Sequence, residues 1–141
     1  MKNLIAFIIA VNWSCFSAAE LLVIVNTKNP IDRLERKQVI DLYLGRVSAF
    51  PNMAPAHTLE IVDTNPLRAI FYKTLTGKNE AQVDAYWATL MFSGRMTPPE
   101  KIKSEDAIVK AVINNTTAIG YINKRPLPAD VKVVMEIQTT E

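Results

Sequence analysis

Residues 20–26 read ELLVIVN, an unbroken aliphatic run rich in β-branched side chains. A strand with one face in water alternates apolar and polar residues, whereas a strand covered on both faces is apolar throughout. This run is short for a buried helix and ends in the turn sequence NTKNP. It reads as a strand inside a sheet, so the rest of the chain must cover both of its sides.

The following segments supply that cover. RLERKQVIDLYLG places Val39, Leu42 and Tyr43 at i, i+3 and i+4, with Ile40 and Leu44 alongside, and stops at Gly45, the pattern of an amphipathic helix. A proline-punctuated loop, RVSAFPNMAPAH, leads to a second strand, TLEIV, over residues 58–62. The helix after it has Asn65 at its N-cap and Pro66 at its first position, and ends near Gly77. Asn79 caps a further helix, EAQVDAYWATLMF, whose Val83, Tyr86, Trp87, Leu90 and Met91 share a face expected to be core. SGRMTPPEKIK reads as a loop. Ser104, Glu105 and Asp106 open a last helix ending in VINN, and TAIGYIN and VKVVMEI are strands. Such alternation predicts one three-layer α/β domain with a mainly parallel sheet.

The first nineteen residues carry one basic residue, Lys2, an apolar run from Leu4 to Val11, and small residues at Ser17, Ala18 and Ala19. They read as a secretory leader over 1–19, ahead of a domain over 20–141, with no membrane insertion once the leader is removed. The expected location is the periplasm. Cys15 is the single cysteine and falls in the leader, so the processed chain has no thiol for a disulfide, a zinc site or nucleophilic chemistry. Its charges are interspersed and sum to about +1, with no basic stripe for nucleic acid.

His57 is the sole histidine and stands in the proline-rich loop, with no Asp or Glu within two residues. A metal site or serine triad needs more than this, and no GxSxG, HExxH, P-loop or GxGxxG pattern occurs. Neither an enzyme nor a cofactor is expected. Asn114 and Asn115 open two Asn-X-Thr triplets that read as a helix end and turn.

The turn from Asp63 to Arg68 carries more information. A helix N-terminus offers free N–H groups and the positive end of a dipole, here at Leu67 and Arg68, and Arg68 adds a guanidinium. Thr64 and Asn65 add side-chain donors. Against this, Pro66 lacks an N–H and no glycine lets an anion approach the backbone. The turn is either an oxyanion site or a well-capped helix start. Ser93, Gly94 and Arg95 form a second candidate, with a helix C-cap as the alternative. Asn26 and Thr27, after the first strand, are a third, because open α/β sheets bind ligands at strand carboxyl ends, where these turns are expected to converge.

In order along the chain, VIVNTKNPIDRLERKQVIDLYLGR, PLRAIFYKTLTGK, YWATLMFSGR and TAIGYIN resemble the periplasmic phosphate-binding proteins of phosphate ABC transporters, and most of all their short, single-domain relatives. The likeness spans residues 21–134. It implies one lobe of a periplasmic-binding-protein fold, in a family whose full-length members clasp the anion between two lobes. The turn matching Asp63 to Arg68 typically reads Ser-Gly-Thr-Arg there; Arg68 matches the arginine, while Asn65, Pro66 and Leu67 replace Ser-Gly-Thr. Phosphate or a similar oxyanion is thus the implied ligand. The alternative is a periplasmic interaction module that kept the fold and lost the ligand, contacting a protein partner or a second copy through residues such as Phe50 and Met53.

Overall fold

The computed structural model describes residues 19–94 and 96–139. The leader reading therefore lies outside the described residues, except for Ala19, the first residue of β1 (Ala19–Asn26). The other elements are α1 (Arg36–Tyr43), β2 (His57–Ile61), α2 (Pro66–Thr76), α3 (Glu80–Phe92), β3 (Glu100–Ile102), α4 (Glu105–Asn114), β4 (Ala118–Ile122) and β5 (Val131–Thr139). The helix starts follow local chemistry. Asn65 accepts from the Leu67 N–H, Asn79 and Gln82 cap one another reciprocally, and Ser104 accepts from the Ala107 N–H.

The five strands lie in the order β3-β2-β4-β1-β5. β2 runs parallel to β3 and β4, and β1 runs antiparallel to both β4 and β5, so four strands share one direction and β1 alone opposes them. Residues 21–26 are buried throughout, as a strand covered on both faces must be.

Two neighbouring residues of β4 show what covers each face. A Cβ on Gly120 would sit 2.5 Å from Cγ2 of Ile108, so α4 lies directly on the sheet there. Tyr121 points the other way and stacks on Phe71 of α2, with ring centroids 3.8 Å apart. Tyr43 of α1 meets both rings edge-on, and its hydroxyl donates to the Leu59 and Ile119 carbonyls, joining β2 to β4 from above. The result is the expected three-layer α/β domain.

Three local expectations change. β3 lies in the segment read as loop, because it is three residues long, follows Pro98 and Pro99, and sits at the sheet edge, where short strands are usual. Phe50, expected at an exposed contact surface, is buried in the core. The apolar face of α3 is buried at Val83 and Trp87 and packs half-buried against the core at Tyr86 and Leu90. Beyond them Met91 is 56% exposed, because the helix outlasts the layer it packs against. Among the described residues no helix is long and apolar enough to cross a membrane.

Candidate functional site

The β2–α2 turn holds a buried ion cluster. Arg68 is only 1% exposed, although it stands in the first turn of α2. Its Nε donates to Glu60 Oε2 at 3.2 Å, Nη1 to Glu80 Oε1 at 3.1 Å and Nη2 to Asp84 Oδ1 at 2.8 Å. Asp63 lies 3.7 Å from Nε and is held by Lys101 at 2.7 Å. Tyr72 donates its hydroxyl to Glu60 at 2.6 Å, and its ring lies 5.3 Å from the guanidinium carbon.

The electrostatics follow from burial and charge. Burial pushes the Glu60 carboxyl above its usual range, against the pull of the Tyr72 hydroxyl and Arg68. Burial alone would lower the Arg68 value, but the carboxylates of Glu60, Asp84 and Glu80 outweigh it and lock the guanidinium in its charged form. The Lys101 ammonium holds Asp63 below its usual range. Four carboxylates surround two cations, an arrangement that repels a further anion.

The backbone donors of Leu67 and Arg68 are also engaged. The Leu67 N–H donates to Asn65 Oδ1 at 2.9 Å, the Arg68 N–H to the Asn65 carbonyl at 3.3 Å, and Pro66 has none. Thr64 is exposed.

The other candidates do not join this turn. Because β1 opposes its neighbours, Asn26 lies by Val131, at the amino end of β5, about 20 Å along the sheet from Asp63. The expected convergence of Asn26 and Thr27 with the turn does not occur. Asn26 Nδ2 instead donates to the Val112 and Ile113 carbonyls at the end of α4, and Thr27 Oγ1 donates to the Asp130 carbonyl. Ser93 and Gly94 end α3, at the opposite pole from Glu80. Ser93 donates to the Leu90 carbonyl at 2.7 Å, and Gly94 takes a φ of +69°. Arg95 lies outside the described residues. Among the described residues no cluster of three or more His, Cys, Asp or Glu is placed to hold a metal ion.

A second feature left no motif in the sequence. Between the ends of α1 and α3 and the start of β2 runs a groove of about 1040 Å³, bordered by Leu42, Val47, Met91 and Met96, with His57 and Glu100 at one side. A smaller hollow of about 370 Å³, with Met53 on its rim, adjoins it through Leu42, Val47 and Ser48. The large apolar side chains exposed among the described residues are Val47, Met53, Met91, Phe92 and Met96. Four of them line these hollows, and Phe92, 98% exposed, follows Met91 directly.

The groove has a firm base. Gly45 turns the chain after α1 at a φ of +68°, and a Cβ there would meet Cη2 of Trp87 at 2.6 Å. Tyr86 donates to the Leu44 carbonyl at 2.6 Å, tying α3 to the same turn. Met53 takes a φ of +68°, rare for a residue with a side chain, and is 82% exposed at a loop tip. His57 pairs with Glu100 across the sheet edge at 2.5 Å, a carboxylate far from it in sequence.

Neither a protein family nor a curated protein matches the chain. Solved structures do. A Clostridium perfringens protein, described as a phosphate ABC transporter substrate-binding protein and solved with bound phosphate, superposes with a TM-score of 0.64 at 21% identity, over 82% of this chain and 45% of that one. An ABC-type phosphate transport receptor from Vibrio cholerae gives 0.63 at 19% identity, over 82% and 46%. PstS from Borrelia burgdorferi gives 0.57 at 12%, over 74% and 41%. The chain spans less than half the length of these proteins, and its fold is that of a single lobe of the periplasmic-binding-protein type.

Proposed function

We propose that this chain is a non-catalytic, exported lobe of the substrate-binding-protein type that acts by protein contact through its groove face. Residues 1–19 serve as the leader, residues 20–141 as the domain, and the periplasm as the compartment. The observation that carries the reading is the gathering of Val47, Met53, Met91 and Met96 around two adjoining hollows, with exposed Phe92 next to Met91 in the chain. Single exposed apolar residues are ordinary, but a contiguous set marks a contact surface. Three of the five are methionines, whose flexible thioethers adapt to a partner's shape.

The turn supports the same reading, since the Leu67 N–H and the Arg68 guanidinium are committed within the chain. A second reading, capture of phosphate or a similar oxyanion at Thr64, Asn65, Leu67 and Arg68, draws on the likeness to a protein solved with bound phosphate. It requires the anion to displace carboxylates from Arg68.

Photo-crosslinking in the periplasm tests the leading reading. A photoreactive residue at Met91 is expected to give a discrete adduct, and one at Lys110, on the exposed side of α4, none. Equal labelling from both positions, or none from Met91, would contradict a working groove face.

A further inference from the structure

We infer that Met53, Met91 and Met96 are sites of reversible oxidation by peroxide, and that their conversion to sulfoxides switches the groove face from apolar to polar. The switch rests on the contact reading above; the modification stands without it. Residues 20–141 contain no cysteine, so a thioether is the only sulfur this domain can offer an oxidant. Four methionines lie among the described residues, and three of them border the two adjoining hollows. Met53 is 82% exposed, Met91 56% and Met96 37%, whereas Met135 packs partly buried against the core from β5. Oxidant must reach the sulfur, so the groove face reacts first.

Peroxide supplies the whole balance of the step. A sulfur lone pair attacks one peroxide oxygen, an S–O bond forms as the O–O bond breaks, and the departing hydroxide takes the proton of the transferred oxygen to become water. The sulfur loses two electrons and the peroxide gains them. The product is polar and accepts hydrogen bonds, where the thioether was a flexible apolar group. At Met91 and Met96, beside Leu42 and Val47, the change wets the groove wall, and at Met53 it wets the rim of the smaller hollow. Reductases specific for each sulfoxide epimer reverse it. Trp87 reports the change at Met96. It is the only tryptophan in residues 20–141, and a Cβ on Gly45 would meet both its Cη2, at 2.6 Å, and Met96 Sδ, at 3.1 Å. Sulfur and indole therefore share one small space, where an added oxygen places a dipole beside the ring.

Peptide mass mapping of the purified protein over a time course with hydrogen peroxide tests this, with circular dichroism checking that the fold is kept. Met53, Met91 and Met96 are each expected to gain one oxygen before Met135 does, and methionine sulfoxide reductases to remove it. Trp87 emission is expected to shift to the red as Met96 is oxidised, and to stay in place in Met96→Leu. Oxidation of Met135 as fast as the other three in folded protein would overturn the modification sites. A photoreactive residue at Val47 leaves all three thioethers intact and reads the switch in periplasmic extract. The reduced protein is expected to give a discrete adduct, the oxidised protein to lose it, and the reductase-treated protein to regain it. An adduct that survives oxidation of all three methionines would overturn the switch while sparing the contact reading. No adduct from the reduced protein, at Val47 or at Met91, would remove that reading and the switch together, and the mass map would then decide the modification alone.

Discussion

Replacing Arg68 by alanine is expected to lower folding stability by about 3–5 kcal/mol, the range for removing one partner of a buried ion pair. Glu60 is 2% exposed and would lose its cation while remaining in the core. Glu80 and Asp84, one turn apart on α3, would then face it without the guanidinium between them. The loss should depend on pH in a defined direction. The folded state already holds the Glu60 proton more tightly than the unfolded chain does, so this group's contribution is fully present below its ordinary value and is lost as pH rises through the folded value. Without Arg68 that folded value rises further. The deficit of the variant should be greatest near neutrality and shrink on acidification. Urea denaturation at neutral and acidic pH measures it, and an unchanged midpoint would mean that the cluster does not hold β2, α2 and α3 together.

Phe71→Ala should be comparably severe, at about 3–5 kcal/mol. Phe71 is fully buried, stacks on Tyr121 and meets Tyr43 and Tyr72 edge-on, so one ring joins α1, α2 and the centre of the sheet. Truncation would leave a cavity walled by three tyrosines whose hydroxyls are tied to β2 and β4, which restricts their collapse into it. Thermal unfolding would show the loss. A shift within the range of a surface substitution would argue against this arrangement of the helical layer on the sheet.

The parts legible in the sequence are those fixed by neighbours along the chain. Asn65 before Pro66, Asn79 with Gln82, and Ser104 before two acids mark helix starts because a cap is chemistry over three residues. The aliphatic run of β1 announces a strand covered on both faces, but nothing in it encodes direction. That direction separates Asn26 and Thr27 from the β2–α2 turn.

The fate of Arg68 was hidden for a related reason. Its partners lie 8, 12 and 16 residues away, and only the folded chain brings them together. Two signals were nevertheless present: a carboxylate, Glu60, within an apolar strand, and Glu80 and Asp84 four apart on one helix face. The groove face left less trace. Met91 continues the apolar period of α3 past the point where the core ends, and periodicity does not record where a packing layer stops.

If the β2–α2 turn is closed by its own carboxylates and the working surface is the groove, the turn should be indifferent to oxyanions. Calorimetric titration of folded protein with phosphate and with sulfate tests this most directly. No binding heat is expected with either anion at millimolar concentration. Saturable heat with phosphate that a Thr64→Ala, Asn65→Gly double variant abolishes while remaining folded would contradict a closed turn, and would make it an oxyanion site.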